Sequence, residues 1–128
     1  MKKYIYLLAI MLFAISCGKK EEAKENETQK SNSTAIVKFI EVGSDKCIPC
    51  KQMKEVIANI TAKYKEQLDF EMVDINKDKD AVSKYGVQLI PTQIFYDKSG
   101  KEFFRHVGYF PEEKIDSLLQ ANGLKVMS

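Results

Sequence analysis

The sequence predicts an α/β domain in the order β-α-β-α-β-β-α, with a mixed four-stranded sheet flanked by helices. Three observations carry this. Two β-branched, aromatic runs are separated by a long helical pattern, a later pair of apolar runs is joined by the turn cluster DKSG, and an amphipathic segment closes the chain. A helical crossover leaves its two strands parallel, whereas a short turn leaves them antiparallel, so the sheet must be mixed.

Taken in order, TAIVKFIEV (34–42) reads as a largely buried strand. From Pro49 the pattern becomes helical, with Met53, Val56, Ile57, Ile60, Tyr64 and Leu68 recurring at spacings of three and four. Pro49 suits a first helical turn, where its missing N–H is not needed. DFEMVDI (69–75) is a second strand, with Phe70, Met72 and Asp74 alternating against Glu71 and Val73. A polar loop containing KDKD (77–80) leads to a short helix that Gly86 stops. TQIFYDKSGKEFFRHVG then reads as a hairpin, with Gly100 supplying the positive φ of the turn and Phe95, Tyr96, Phe103 and Phe104 at strand spacing. In the last helix Ile115, Leu118 and Leu119 share a face, Glu112 and Glu113 occupy the first turn, and Asn122-Gly123 ends it. The chain contains no internal repeat.

The amino-terminal quarter is read differently. Met1-Lys2-Lys3 precedes thirteen uncharged residues, Tyr4 to Ser16. That is short of the roughly 20 residues a membrane-spanning helix needs, and it matches the apolar core of a secretory signal. The run ends in AISC, which resembles the lipobox of bacterial lipoproteins, although Ala14 stands where that family usually has Leu. The resemblance implies acylation of Cys17; cleavage nearby with Cys17 discarded or left free is the alternative. Residues 18–33, GKKEEAKENETQKSNS, balance four Lys against four Glu and offer almost nothing apolar to bury. As a flexible tether they would span roughly 20–25 Å. The expected organisation is therefore a signal with its cysteine (1–17), a polar tether (18–33) and one small domain (34–128).

Without Lys2 and Lys3 the chain carries 18 basic and 18 acidic residues. Zero formal charge gives no footprint for nucleic acid and no polybasic membrane patch. Beyond a membrane, disulfides are permitted, so the two cysteines of DKCIPCKQM can cycle or stay oxidised.

Four chemistries compete for Cys47 and Cys50. A structural zinc site needs four ligands, and this domain offers one cysteine pair and one histidine, His106. A c-type haem needs histidine directly after the second cysteine, where Lys51 stands. A static staple across two residues closes too small a loop to constrain the unfolded chain much. A redox couple fits the location. A cysteine at a helix start sees unpaired N–H groups and the positive end of the helix dipole, which favour a thiolate and make Cys47 the attacking sulfur. Cys50 lies three residues before Met53 on the apolar stripe, and is expected to be the buried, resolving thiol.

A cysteine pair at a strand-to-helix junction, followed by KYGVQLIPTQIFYDKSGKE and a strand ending in RHVG, resembles thioredoxin, and the similarity runs from Thr34 to Leu124. The resemblance implies a thioredoxin fold and dithiol–disulfide exchange with protein substrates, without a cofactor. It assigns Pro91 as a cis-proline facing the cysteines. Ile90 then supplies main-chain hydrogen bonds to substrate, and Ile48 and Pro49 border the same groove. Glu41 takes the place of a buried acid able to accept the resolving thiol's proton. The sequence departs from the family at Lys46, where tryptophan is usual, at Met72, where many members carry lysine, and at Ile48, where glycine is usual.

These readings together predict a monomeric thiol–disulfide oxidoreductase outside the cytoplasm, anchored by lipid. Protein thiols and disulfides would be its substrates, and a membrane thiol-electron donor or acceptor its redox partner. Two rivals remain. One is a copper(I)- or haem-maturation module using the thiolates as soft ligands with Met72 or His106 as a third. The other is an interaction lipoprotein with a permanent disulfide.

Overall fold

The computed structural model describes residues 34–127. Strand β1 (Val37–Gly43) runs into helix α1 (Ile48–Tyr64), and one 3-10 turn (Lys65–Gln67) leads to β2 (Leu68–Asp74). Helix α2 (Ala81–Tyr85), the hairpin β3 (Thr92–Asp97) and β4 (Glu102–Val107), and helix α3 (Glu112–Ala121) complete the order expected from sequence. The sheet runs β2-β1-β3-β4. Strand β1 is parallel to β2 and antiparallel to β3, and β3 is antiparallel to β4. Gly86 and Gly100, at φ 60° and 80°, provide the left-handed positions of the α2 stop and the hairpin turn.

Strand β1 is paired along both edges, and a hydrophobic layer covers each of its faces. Val37 and Phe39 join Leu68 and Phe95 under Met53, Ile60 and Tyr64 of α1 and Ile115 and Leu119 of α3. The Phe39 and Phe95 rings stack at 4.4 Å. On the opposite face Ile40, Val42, Val73 and Ile94 pack with Ala81 and Val87. Burying each such side chain contributes about 1.5–3 kcal/mol, so the two layers dominate the stability.

One local expectation inverts. In β2 it is Val73 that is buried, while Met72 is 40% exposed. A strand covered on one face would hide Met72 and show Val73. Here the second layer covers Val73, and the face carrying Met72 opens into a cleft. The first strand also begins at Val37, three residues later than its composition suggests.

Lys65, which caps α1, adopts φ 44° and ψ −123°, a conformation that L side chains rarely take. Its side chain is exposed, and its N–H reaches the Thr61 carbonyl. Lys65→Gly should therefore stabilise the fold by about 0.5–1 kcal/mol, the relief of Cβ strain less the greater entropy glycine loses. Denaturant unfolding of the two proteins checks this, and a destabilised variant would contradict it.

Candidate redox site

The end of β1 and the start of α1 are locked together by Ser44. Its carbonyl accepts the Cys47 N–H, and its hydroxyl oxygen accepts from the Lys46 N–H and from Asn76 Nδ2 at 2.7 Å. Lys54 of α1 reaches back to Asp45 at 2.8 Å. These bonds present Cys47 as the N-cap of α1. Its Sγ accepts the Cys50 N–H at 3.3 Å, and Pro49 lies in the first turn. No acidic residue sits in that turn, so nothing offsets the positive end of the helix dipole there.

Cys47 and Cys50 form a disulfide with Cα atoms 5.2 Å apart. Cys47 is half-buried and Cys50 is 2% exposed, so one sulfur faces outward and the other faces the core. Facing them is the segment Leu89-Ile90-Pro91, whose Ile90–Pro91 peptide is cis. Cys47 Sγ lies 3.9 Å from the Ile90 carbonyl. In the disulfide that sulfur has no proton to give; as a thiol it could donate to this oxygen. Two bonds hold the segment in place, from Thr92 Oγ1 to the Leu89 carbonyl (2.6 Å) and from the Gly108 N–H to the Pro91 carbonyl (2.8 Å). Ile48 and Leu89, 73% and 67% exposed, leave apolar surface on either side of the sulfurs.

Behind Cys50 a cleft of about 560 Å³ opens between α1 and β2, lined by Glu41, Cys50, Lys54, Ile57, Phe70 and Met72 among others. Glu41 is fully buried, and neither carboxylate oxygen has a hydrogen-bond partner. Desolvation pushes its pKa from the ordinary 4.5 up to about 7. The Gln93 side chain pulls in the other direction without cancelling the shift, and its amide nitrogen donates to the Gly108 carbonyl. Glu41 can thus gain or lose a proton near neutrality, and it shares a cleft with the inner sulfur.

The fold brings together Cys47, Cys50, Glu41, Ile48, Pro49, Ile90 and Pro91, whereas Cys17 lies outside the described residues. His106 is on the edge strand β4, stacked on Phe110 at 4.3 Å with its ring nitrogen 3.1 Å from the Tyr109 carbonyl. Two contributors escape the sequence reading. Gly43 is one: a Cβ there would stand 3.3 Å from both Cys50 Sγ and Met72 Cε, so the inner sulfur occupies room left by a missing side chain. Gln93 is the other, fully buried and paired in register with Glu41. A polar residue two positions beyond Pro91, flanked by Thr92 and Ile94, was the available signal for it.

A helix-capping outer sulfur, joined to an inner sulfur that backs onto a titratable carboxyl, makes this a thiol–disulfide oxidoreductase of the kind that acts on protein thiols and disulfides. Residues 11–123 match the thioredoxin-like domain, and the chain belongs to that family. It is 30% identical over 91 residues to a thioredoxin of Borreliella burgdorferi, covering 71% of this chain and 74% of that protein. To a thioredoxin of Staphylococcus aureus it is 29% identical over 83 residues, 65% of this chain and 79% of the other. Among solved structures, a variant thioredoxin from Halobacterium salinarum superposes with a TM-score of 0.63 at 21% identity, over 74% of this chain and 81% of that one. A malaria parasite thioredoxin-2 superposes with a TM-score of 0.64 at 16% identity, over 67% and 82%. At these identities the two structures speak to the fold.

Proposed function

We propose that this protein is a lipid-anchored oxidoreductase that exchanges its Cys47–Cys50 couple with protein substrates outside the cytoplasm, and is recharged by a thiol-electron donor or acceptor in the same membrane. The pairing of an outward sulfur at the start of α1 with an inner sulfur beside Glu41 supports the chemistry. In the reducing direction, the Cys47 thiolate attacks a substrate disulfide. The substrate S–S bond breaks, a Cys47–substrate disulfide forms, and the departing thiolate takes a proton from water. Cys50 then passes its thiol proton to the Glu41 carboxylate and attacks Cys47 Sγ. The Cys47–Cys50 bond forms, the second substrate sulfur leaves as a thiolate that also takes a proton from water, and two electrons have moved to the substrate while Glu41 holds the Cys50 proton. The reverse sequence oxidises a substrate dithiol. Ile48, Pro49, Ile90 and Pro91 form the surface against which the substrate backbone lies during both steps.

The anchoring part rests on the sequence AISC after a thirteen-residue apolar run. Cys17→Ser should release the chain from the membrane fraction, or leave its precursor uncleaved, while the domain keeps its disulfide exchange. Intact-mass measurement of the parent protein gives the deciding observation, since a mature chain that starts elsewhere and carries no lipid would refute the tether. A copper(I)-binding role has one observation in its favour, the Met72 methyl and Cys50 Sγ bordering the same space above Gly43. Anaerobic copper(I) titration of the reduced chain, set beside a redox titration, separates the two roles.

A further inference from the structure

Among the described residues, three buried side-chain oxygens have no hydrogen-bond partner: both of Glu41 and Oε1 of Gln93. They are neighbours. Glu41 and Gln93 are directly opposed in the antiparallel β1–β3 pair, which places their side chains on one face of the sheet within reach of each other. An ionised carboxylate beside an amide oxygen would be two acceptors without a donor, buried at cost to both. A single proton removes the conflict, because a neutral carboxylic acid carries an O–H to give. The other end of Gln93 is already committed, with Nε2 donating to the Gly108 carbonyl at 3.2 Å. Gly108 in turn donates its N–H to Pro91 O, one residue from the Ile90 carbonyl that faces Cys47 Sγ.

We propose that Gln93 is a positioning residue that reads the proton on Glu41 and relays it to the segment facing the sulfurs. Protonated Glu41 donates to Gln93 Oε1 while Nε2 holds the Gly108 carbonyl. When Glu41 gives up its proton, the amide turns over, Nε2 binds the carboxylate, and the Gly108 carbonyl is released. This rests on the reading of Glu41 as the group that exchanges a proton with Cys50. It adds that the proton's arrival tightens the Gly108 end of the groove as the disulfide closes, and its departure loosens it.

Other charges border the same cleft as Glu41, and their effect is distinct from this one. Lys54 of α1, Asp45 before it, Glu71 and Asp74 of β2, and Lys77 and Asp78 beyond it all line the cleft. In the other direction His106 of β4 follows Gln93 in the same row across the sheet, and its ring meets the Tyr109 carbonyl.

The test is a pH titration of the oxidised full chain by nuclear magnetic resonance. It follows the Glu41 carboxyl carbon, the Gln93 side-chain NH₂ and the Tyr109 amide nitrogen, whose shift reports hydrogen bonding at the Gly108 carbonyl. All three should share one midpoint near the Glu41 value of about 7. In Glu41→Gln the Gln93 and Tyr109 responses should vanish. In Gln93→Met, which keeps side-chain length without the amide, Tyr109 should stop responding while Glu41 still titrates. A Tyr109 response that survives Glu41→Gln would come from another group and overturn the relay. So would a response that survives Gln93→Met, or a parent protein in which Gln93 and Tyr109 are flat. Should Gln93→Met not fold, the parent and Glu41→Gln still decide. The measurement needs no turnover, so a Glu41 that proves kinetically silent would sink its role toward Cys50 and leave this result standing or falling by itself.

Discussion

Cys47→Ser reduces disulfide exchange to the background of the uncatalysed reaction, and Cys50→Ala leaves the chain covalently joined to its substrates. Those are the expected results, and their asymmetry follows from where the two sulfurs sit. Cys47 is half-buried at the head of a helix with no acidic residue in its first turn, so its thiolate is stabilised and within reach of a partner. Cys50 is 2% exposed, behind Cys47 and against the cleft, out of reach of a partner protein. Without Cys50 the mixed disulfide at Cys47 has no neighbouring thiol among the described residues to break it and must wait for another one. Limited alkylation of the reduced chain, followed by peptide mass mapping, should label Cys47 well before Cys50. Finding Cys50 the faster thiol, or finding exchange unaffected in Cys47→Ser, would remove the proposed order of attack.

Glu41→Gln should stabilise the oxidised protein in mildly alkaline solution while slowing the resolving step. The folded state holds the Glu41 pKa at about 7, above the ordinary 4.5. An acid whose pKa is raised on folding takes up a proton more readily in the folded chain than in the unfolded one. Its contribution is therefore neutral below the unfolded pKa, turns increasingly unfavourable as pH climbs from 4.5 to about 7, and is constant above that. A shift of this size corresponds to about 3 kcal/mol, less whatever a buried glutamine amide costs in its place. The parent should thus lose stability relative to the variant between about pH 5 and pH 8, and denaturant unfolding of both proteins across that window measures the difference. Parallel profiles would make Glu41 a solvated residue. In stopped-flow, the same substitution should slow the attack by Cys50 near neutral pH and change the first attack by Cys47 much less.

Much of this was legible in the residues because local and tertiary preferences agree. The spacing from Met53 to Tyr64 defines α1, the DKSG turn defines the hairpin, and Cys47 before Pro49 marks a helix start. Those signals are short-range and survive without knowledge of the sheet. The burial of Glu41 rested on resemblance alone, because a glutamate near a strand end is ordinarily solvated. What buries it is the position of β1 between β2 and β3, a fact of topology. Gln93 was hidden for the same reason: in TQIFY it reads as the outward partner of an alternating strand, and only a sheet covered on both faces turns it inward. Met72 and Val73 exchanged roles through that same second layer. Gly43 carries no local signal at all, since its importance is a sulfur atom arriving from another element.

The hydrogen bond from the Cys50 N–H to Cys47 Sγ gives the reactive sulfur a second occupation, as the cap of a seventeen-residue helix. A disulfide sulfur is a poor acceptor, whereas a thiolate brings a full negative charge to the same N–H groups. The electron pair that reduces the protein therefore also improves the beginning of α1. Electron affinity and mechanical firmness become two readings of one thermodynamic cycle. Each additional 1.4 kcal/mol or so by which folding favours the dithiol over the disulfide makes the couple about 30 mV more oxidising. Melting the two redox forms side by side would then act as a voltmeter, and a residue that tunes the helix start, such as Lys46, would set the voltage without touching a substrate.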